Sequence, residues 1–85
     1  MPRISYYFGI VIYMYYDDHN PPHFHASYEG LEALFDLNGN PLKGHISPRA
    51  QKLIKEWCNL HANELEEDWE LSKQDMPLKW IEPLK

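Results

Sequence analysis

Three of the five histidines in this chain, His23, His25 and His45, are spaced so that they can share one surface. His23 and His25 lie two residues apart, so on a β-strand both point to the same side. Imidazole titrates near neutral pH, and a pair of imidazoles can act as acid and base, as in cleavage of RNA by its own 2′-hydroxyl. Lys43 is placed to offset charge developing on a phosphate. His23, His25, His45 and Lys43 are therefore the candidate catalytic residues. His23 and His25 could instead ligate a metal with Asp36 or His45. A third use is recognition of a partner, with His19, Glu32, Asp36, Arg49 and Lys52 as the binding candidates. The plainest reading is the wet side of an antiparallel sheet. No metal site and no cofactor is assigned on sequence alone.

The elements that must position these residues follow from local chemistry. Residues 8–16 are β-branched and aromatic and predict a strand covered on both faces. Asp17-Asp18-His19-Asn20-Pro21-Pro22 is a loop by composition. Residues 24–28, 31–37 and 42–46 predict three further strands, joined by two-residue turns at Glu29-Gly30 and Asn38-Gly39. Those turns set a register: Tyr28 opposite Leu31, Ala26 opposite Ala33, Phe24 opposite Phe35. In the second hairpin Leu42 opposes Phe35, Gly44 opposes Ala33 and Ile46 opposes Leu31. All of these share one almost wholly apolar face, and a slip by one residue would destroy that consistency. The other face then carries Ser27, Glu32 and His45 in one row. His25, Leu34 and Lys43 form the next, and His23, Asp36 and Pro41 the third.

Ser47-Pro48 is a helix start, with Ser as N-cap and Pro at the first helical position. Ala50, Leu53, Ile54, Trp57 and His61 keep helical spacing, with Arg49, Lys52 and Lys55 on the solvated side. A straight continuation would carry Glu64 and Asp68 into the apolar stripe, so a break is predicted between residues 60 and 64. Asn63 with Glu66 resembles a capping box for a second helix anchored by Leu65 and Trp69. His61 and Cys58 read as packed core residues and Trp57 and Trp69 as core anchors. The fold class is α+β: one domain over residues 1–85, a four-stranded antiparallel β-meander at about 8–46 packed on two C-terminal helices at about 48–74. A tail covers 77–85. In that arrangement strand 8–16 is an apolar edge, expected to be covered by the C-terminal segment or by another chain.

With one cysteine the chain cannot form an internal disulfide, which excludes a disulfide-stapled secreted domain. The first residues lack a signal-peptide layout and the apolar run is too short to span a bilayer, so a cytoplasmic protein without membrane contact is expected. The net charge of −5 is uneven. Residues 1–55 hold five acids and five bases, whereas residues 56–75 hold seven acids against Lys73 alone. That lacks the basic footprint of a nucleic-acid binder and suits a protein partner at least as well.

Phe8-Gly9-Ile10-Val11-Ile12, Met14-Tyr15 and the run Asp18-His19-Asn20-Pro21-Pro22-His23-Phe24-His25-Ala26 together resemble a bacterial family, domain of unknown function 4160 (DUF4160). The likeness continues through Pro48-Arg49-Ala50, Glu56-Trp57, Trp69-Glu70-Leu71 and Ile81-Glu82-Pro83-Leu84, nearly the whole chain. It implies a small bacterial protein whose gene lies beside another small gene, in an arrangement like a toxin–antitoxin pair. The expected function is accordingly the toxin-like component of a type II pair, neutralised by a small cognate antitoxin-like protein. The family's histidine motif falls on His19, His23 and His25, but the resemblance carries over no catalytic residues. RNA as a target, catalysis itself and assembly into a homo-oligomer stay open. So do two alternatives, a non-enzymatic protein-binding module and a small metal-binding protein.

Overall fold

The computed structural model describes residues 2–85. The apolar run at 8–16 is not one strand. Its first two residues, Phe8-Gly9, form a turn, and β2 (Ile10–Tyr13) pairs antiparallel with β1 (Arg3–Tyr7), which precedes the run. The sheet continues through β3 (His23–Tyr28), β4 (Leu31–Asp36) and β5 (Pro41–Gly44) in the order β1-β2-β3-β4-β5. The meander thus has five strands where four were expected. The extra one comes from residues 3–7, whose pairing is masked in sequence because the turn lies inside an unbroken apolar stretch.

The β3–β4 register is the one the turns dictate: Phe24 opposes Phe35, Ala26 opposes Ala33 and Tyr28 opposes Leu31. Ser5, Ile12, Ala26 and Ala33 line up across four strands and are all buried. The next hairpin departs from expectation near its loop. Pro41, not Leu42, opposes Phe35, and a bulge restores Lys43 opposite Leu34 and Gly44 opposite Ala33. The loop has three residues instead of two, because Asp36 and Asn40 still pair through the Asp36 N–H and Asn40 carbonyl at 2.9 Å. Gly39 supplies the positive φ of 88° that such a loop needs. Asp36 stabilises it by accepting the N–H groups of Asn38 and Asn40, each at 2.9 Å. Leu42 is left exposed, and β5 ends at Gly44, before Ile46 could pair with Leu31. Ile46 is buried all the same.

A single helix, α1 (Pro48–Lys73), crosses the apolar face where two were expected. Ser47 Oγ accepts the Ala50 N–H at 3.2 Å as its N-cap. Within it His61 alone leaves helical geometry, at φ −127° and ψ 28°. The kink falls inside the window where a break was predicted, but the chain resumes helix at once. The Asn63–Glu66 capping box is not the partner there; the His61 ring nitrogen Nδ1 pairs with Glu64 Oε1 at 2.6 Å. Ala50, Ile54, Trp57 and Cys58 are buried before the kink, and Leu65, Asp68, Trp69 and Ser72 after it. Glu64 stays exposed, yet Asp68 is fully buried, against expectation.

Trp57 is the hub. Its ring lies 5.3 Å from Tyr7 and 5.9 Å, edge-on, from Phe24. Its indole N–H donates to the Glu82 carbonyl at 2.9 Å. The segment after α1 forms no strand but runs back to β1, where the Ile81 N–H donates to Ile4 O at 2.8 Å and Ser5 Oγ donates to Ile81 O at 3.0 Å. The edge expected at 8–16 is thus held by β1, and the C-terminal segment docks beside it. The other edge, β5, is short, exposed and carries Pro41 and Lys43, which discourage strand addition. No helix among the described residues is long and apolar enough to cross a membrane.

Candidate functional site

β3 carries His23 and His25 on the side opposite Phe24 and Ala26, as the period of two requires. The loop between β2 and β3 folds back over them. It is pinned by the Met14 N–H to Pro2 O at 3.1 Å and the Asp17 N–H to Ser72 O at 3.2 Å, so it bridges the N-terminal hairpin and the end of α1. His23 is only 2% exposed and His25 only 8%. The expectation of an open, wet histidine surface fails for these two residues.

His25 is sandwiched. The Tyr13 ring stacks on it at 5.2 Å and Tyr15 meets it edge-on at 4.6 Å. His23 packs 5.5 Å from Trp69, on the second half of α1. One carboxylate joins them. Asp18 Oδ2 lies 2.9 Å from His23 Nε2 and 3.4 Å from His25 Nε2. Its other oxygen accepts the His19 N–H at 2.9 Å and lies 2.9 Å from that residue's ring nitrogen. Burial pushes the Asp18 carboxyl up, but the His19 N–H and the two buried histidines outweigh it and hold the pKa below the ordinary value. His23 Nδ1 donates to Pro21 O at 2.8 Å. His25 Nδ1 is buried with no hydrogen-bond partner; the nearest carboxylate oxygen, Glu32 Oε1, is 3.7 Å away. Burial, and then Glu32 accepting its hydroxyl, raise the Tyr13 phenol above its usual range.

The remaining predicted residues do not join this group. His45 is exposed beyond the end of β5, and Lys43 is exposed on that strand, so neither meets His23 or His25 in one site. Asp36 is opposite His23 in register but spends its oxygens on the β4–β5 loop. Glu32 sits by His25 and Tyr13, not by His45. On α1, Arg49 donates to the Tyr28 hydroxyl at 3.3 Å and Lys52 is exposed. His19, 80% exposed at its side chain, is the one further histidine at the cluster's rim. Asp18 was the residue missed as a site member. The available signal was its place five residues before His23 in a proline-bearing loop short enough to return onto the strand it feeds.

Among the described residues, Asp18, His23 and His25 are the group that could hold a metal ion, with donor atoms within 4.8 Å of one another. A family model described as Domain of unknown function (DUF4160) matches residues 9–70. The chain belongs to this family. The DUF4160 span contains Asp18, His23, His25, Glu32 and most of α1, and leaves out β1 and the C-terminal segment. No curated protein and no solved structure matches the chain.

Proposed function

We propose that the chain is the toxin-like member of a bacterial type II toxin–antitoxin pair, held in the cytoplasm by a small cognate protein. In this reading it acts through protein contacts. The observation that carries it is the outer face of the sheet. The buried core of α1 packs on the opposite face, and along one row of the outer face stand Tyr6, Val11, Ser27 and Glu32, with Tyr6 55% exposed. The half-buried Leu34 lies in the next row, and Phe8 is exposed at the adjoining turn. Exposed aromatic side chains on a rigid sheet suit a protein interface, where Tyr and Phe are enriched. Acid–base cleavage of RNA at His23 and His25 has less support, because a phosphodiester would have to reach rings closed in by Tyr13, Tyr15 and Asp18.

The test expresses the chain alone and together with the product of the small neighbouring gene. The reading expects growth arrest alone, relief by the partner, and co-purification that Tyr6→Glu disrupts without lowering the melting temperature. Absence of arrest, together with no complex between the two proteins, would overturn it.

A further inference from the structure

The hydrogen-bond requirements of His23 do not close with a neutral ring. Pro21 O can only accept, so the 2.8 Å contact places a proton on His23 Nδ1. A neutral imidazole then has a lone pair on Nε2. That lone pair faces Asp18 Oδ2, also an acceptor, at 2.9 Å. Two acceptors at this distance repel unless a positive charge lies between them. Either His23 carries a second proton, or a cation is shared.

His25 poses the same choice at the same oxygen. Its Nε2 faces the same carboxylate oxygen at 3.4 Å, while its Nδ1 is buried with no hydrogen-bond partner. A proton on Nε2 would satisfy Asp18 but leave the Nδ1 lone pair buried and unmatched. With a metal on Nε2, the proton sits on Nδ1 and points at Glu32 Oε1, 3.7 Å away, the one carboxylate in reach. His23 would be backed in the same way by the Pro21 carbonyl. Metal-bound histidines ordinarily donate their second nitrogen to a carbonyl or a carboxylate, which fixes the tautomer and the ring. The Pro21 carbonyl is in place for His23, and Glu32 Oε1, at 3.7 Å, lies just beyond hydrogen-bond distance of His25.

We infer that Asp18, His23 and His25 form a binding site for one first-row divalent cation, which adjoins the proposed partner surface at Glu32. Imidazole and carboxylate donors suit zinc and its neighbours over calcium or magnesium. A tetrahedral zinc with bonds of about 2.0–2.1 Å keeps its ligand atoms roughly 3.3 Å apart; Asp18 Oδ2 lies 2.9 and 3.4 Å from the two imidazole nitrogens, and all three donor atoms lie within 4.8 Å of one another. Three protein ligands leave the fourth position of a tetrahedral site to water or a further ligand. The site also spans the fold. It ties β3 to a loop that is itself bonded to the end of α1, so metal binding should tighten all three.

The test is titration of the chelator-treated full chain with Zn2+ alone by calorimetry, and with Co2+ alone by visible absorption. The site predicts one ion per chain, release of protons on binding, a raised melting temperature, and a cobalt spectrum with four-coordinate intensity. Asp18→Asn, in a partly exposed loop position, should weaken binding at least 100-fold. Glu32→Gln should weaken it about 10-fold, within the range known for outer-shell partners. Glu32 is half exposed, so that variant keeps its fold, as circular dichroism would verify. A structural ion pair of Asp18 with a doubly protonated His23 predicts otherwise: no Zn2+ uptake up to millimolar concentration. That result, or uptake unaffected by both Asp18→Asn and Glu32→Gln, overturns the inference.

Discussion

Replacing Asp68 with asparagine should stabilise the fold at neutral pH and flatten its pH dependence. Asp68 is fully buried on the second half of α1, where Oδ1 accepts the Lys79 N–H at 2.8 Å and Oδ2 has no partner. Burial pushes its pKa up to about 6 from 3.8; the Lys79 N–H opposes this and the charge of Glu67 adds to it. The folded chain therefore binds this proton more tightly than the unfolded chain. The contribution of the protonated group is fully present below about pH 3.8 and is lost as pH rises through about 6. The charged form costs about 3 kcal/mol at pH 8, of which about 2 kcal/mol accrues above pH 4.5. Asparagine keeps the acceptor for Lys79 and mimics the neutral acid, so its advantage over wild type should grow by about 2 kcal/mol across that window. Urea unfolding followed by the fluorescence of buried Trp57 and Trp69 would show this as a midpoint difference widening by about 1–2 M. A variant with the wild-type pH slope, or one less stable than wild type at pH 8, would refute the assignment of an uncompensated carboxylate.

Three further outcomes follow from the same contacts. Gly39→Ala should cost at least 2–3 kcal/mol, because φ is +88° and a Cβ would stand 3.0 Å from the Lys55 Cα. Gly30→Ala, at φ +80° with nothing within 4 Å, should cost only about 1 kcal/mol; equal urea midpoints would contradict this. Asp36→Ala removes the acceptor of two loop N–H groups and should lower stability by about 1–2 kcal/mol. Hydrogen exchange at Asn38 and Asn40 should accelerate with it. Trp57→Phe removes the donor to Glu82 O and should speed exchange in residues 80–85 beyond any global loss of stability; unchanged protection there would show the C-terminal segment to be held by other contacts.

Much of the architecture was written in local sequence. The β3–β4 register was legible because only one alignment puts Phe24, Ala26, Ala33 and Phe35 on a common face, and side-chain direction alternates strictly along a strand. Ser47-Pro48 marked the helix start, and the kink at His61 falls where a break was expected, although the reason given for it held for Glu64 and not for Asp68. Family membership was legible too, since the motif running from Asp18 to Ala26 lies inside the matched span. Tertiary structure alone decided the rest. β1 was hidden because a turn inside an apolar run has no compositional boundary. Asp68 could be buried because a backbone N–H from Lys79, eleven residues later, comes to meet it. His45 left the histidine group because a three-residue loop and a bulge end β5 one residue too early. Asp18 entered it because an irregular loop folds back on β3, and the path of such a loop is set by what its ends are bonded to, here Pro2 and Ser72. Periodicity describes which way a side chain points along a regular element; it says nothing about which distant group arrives to face it.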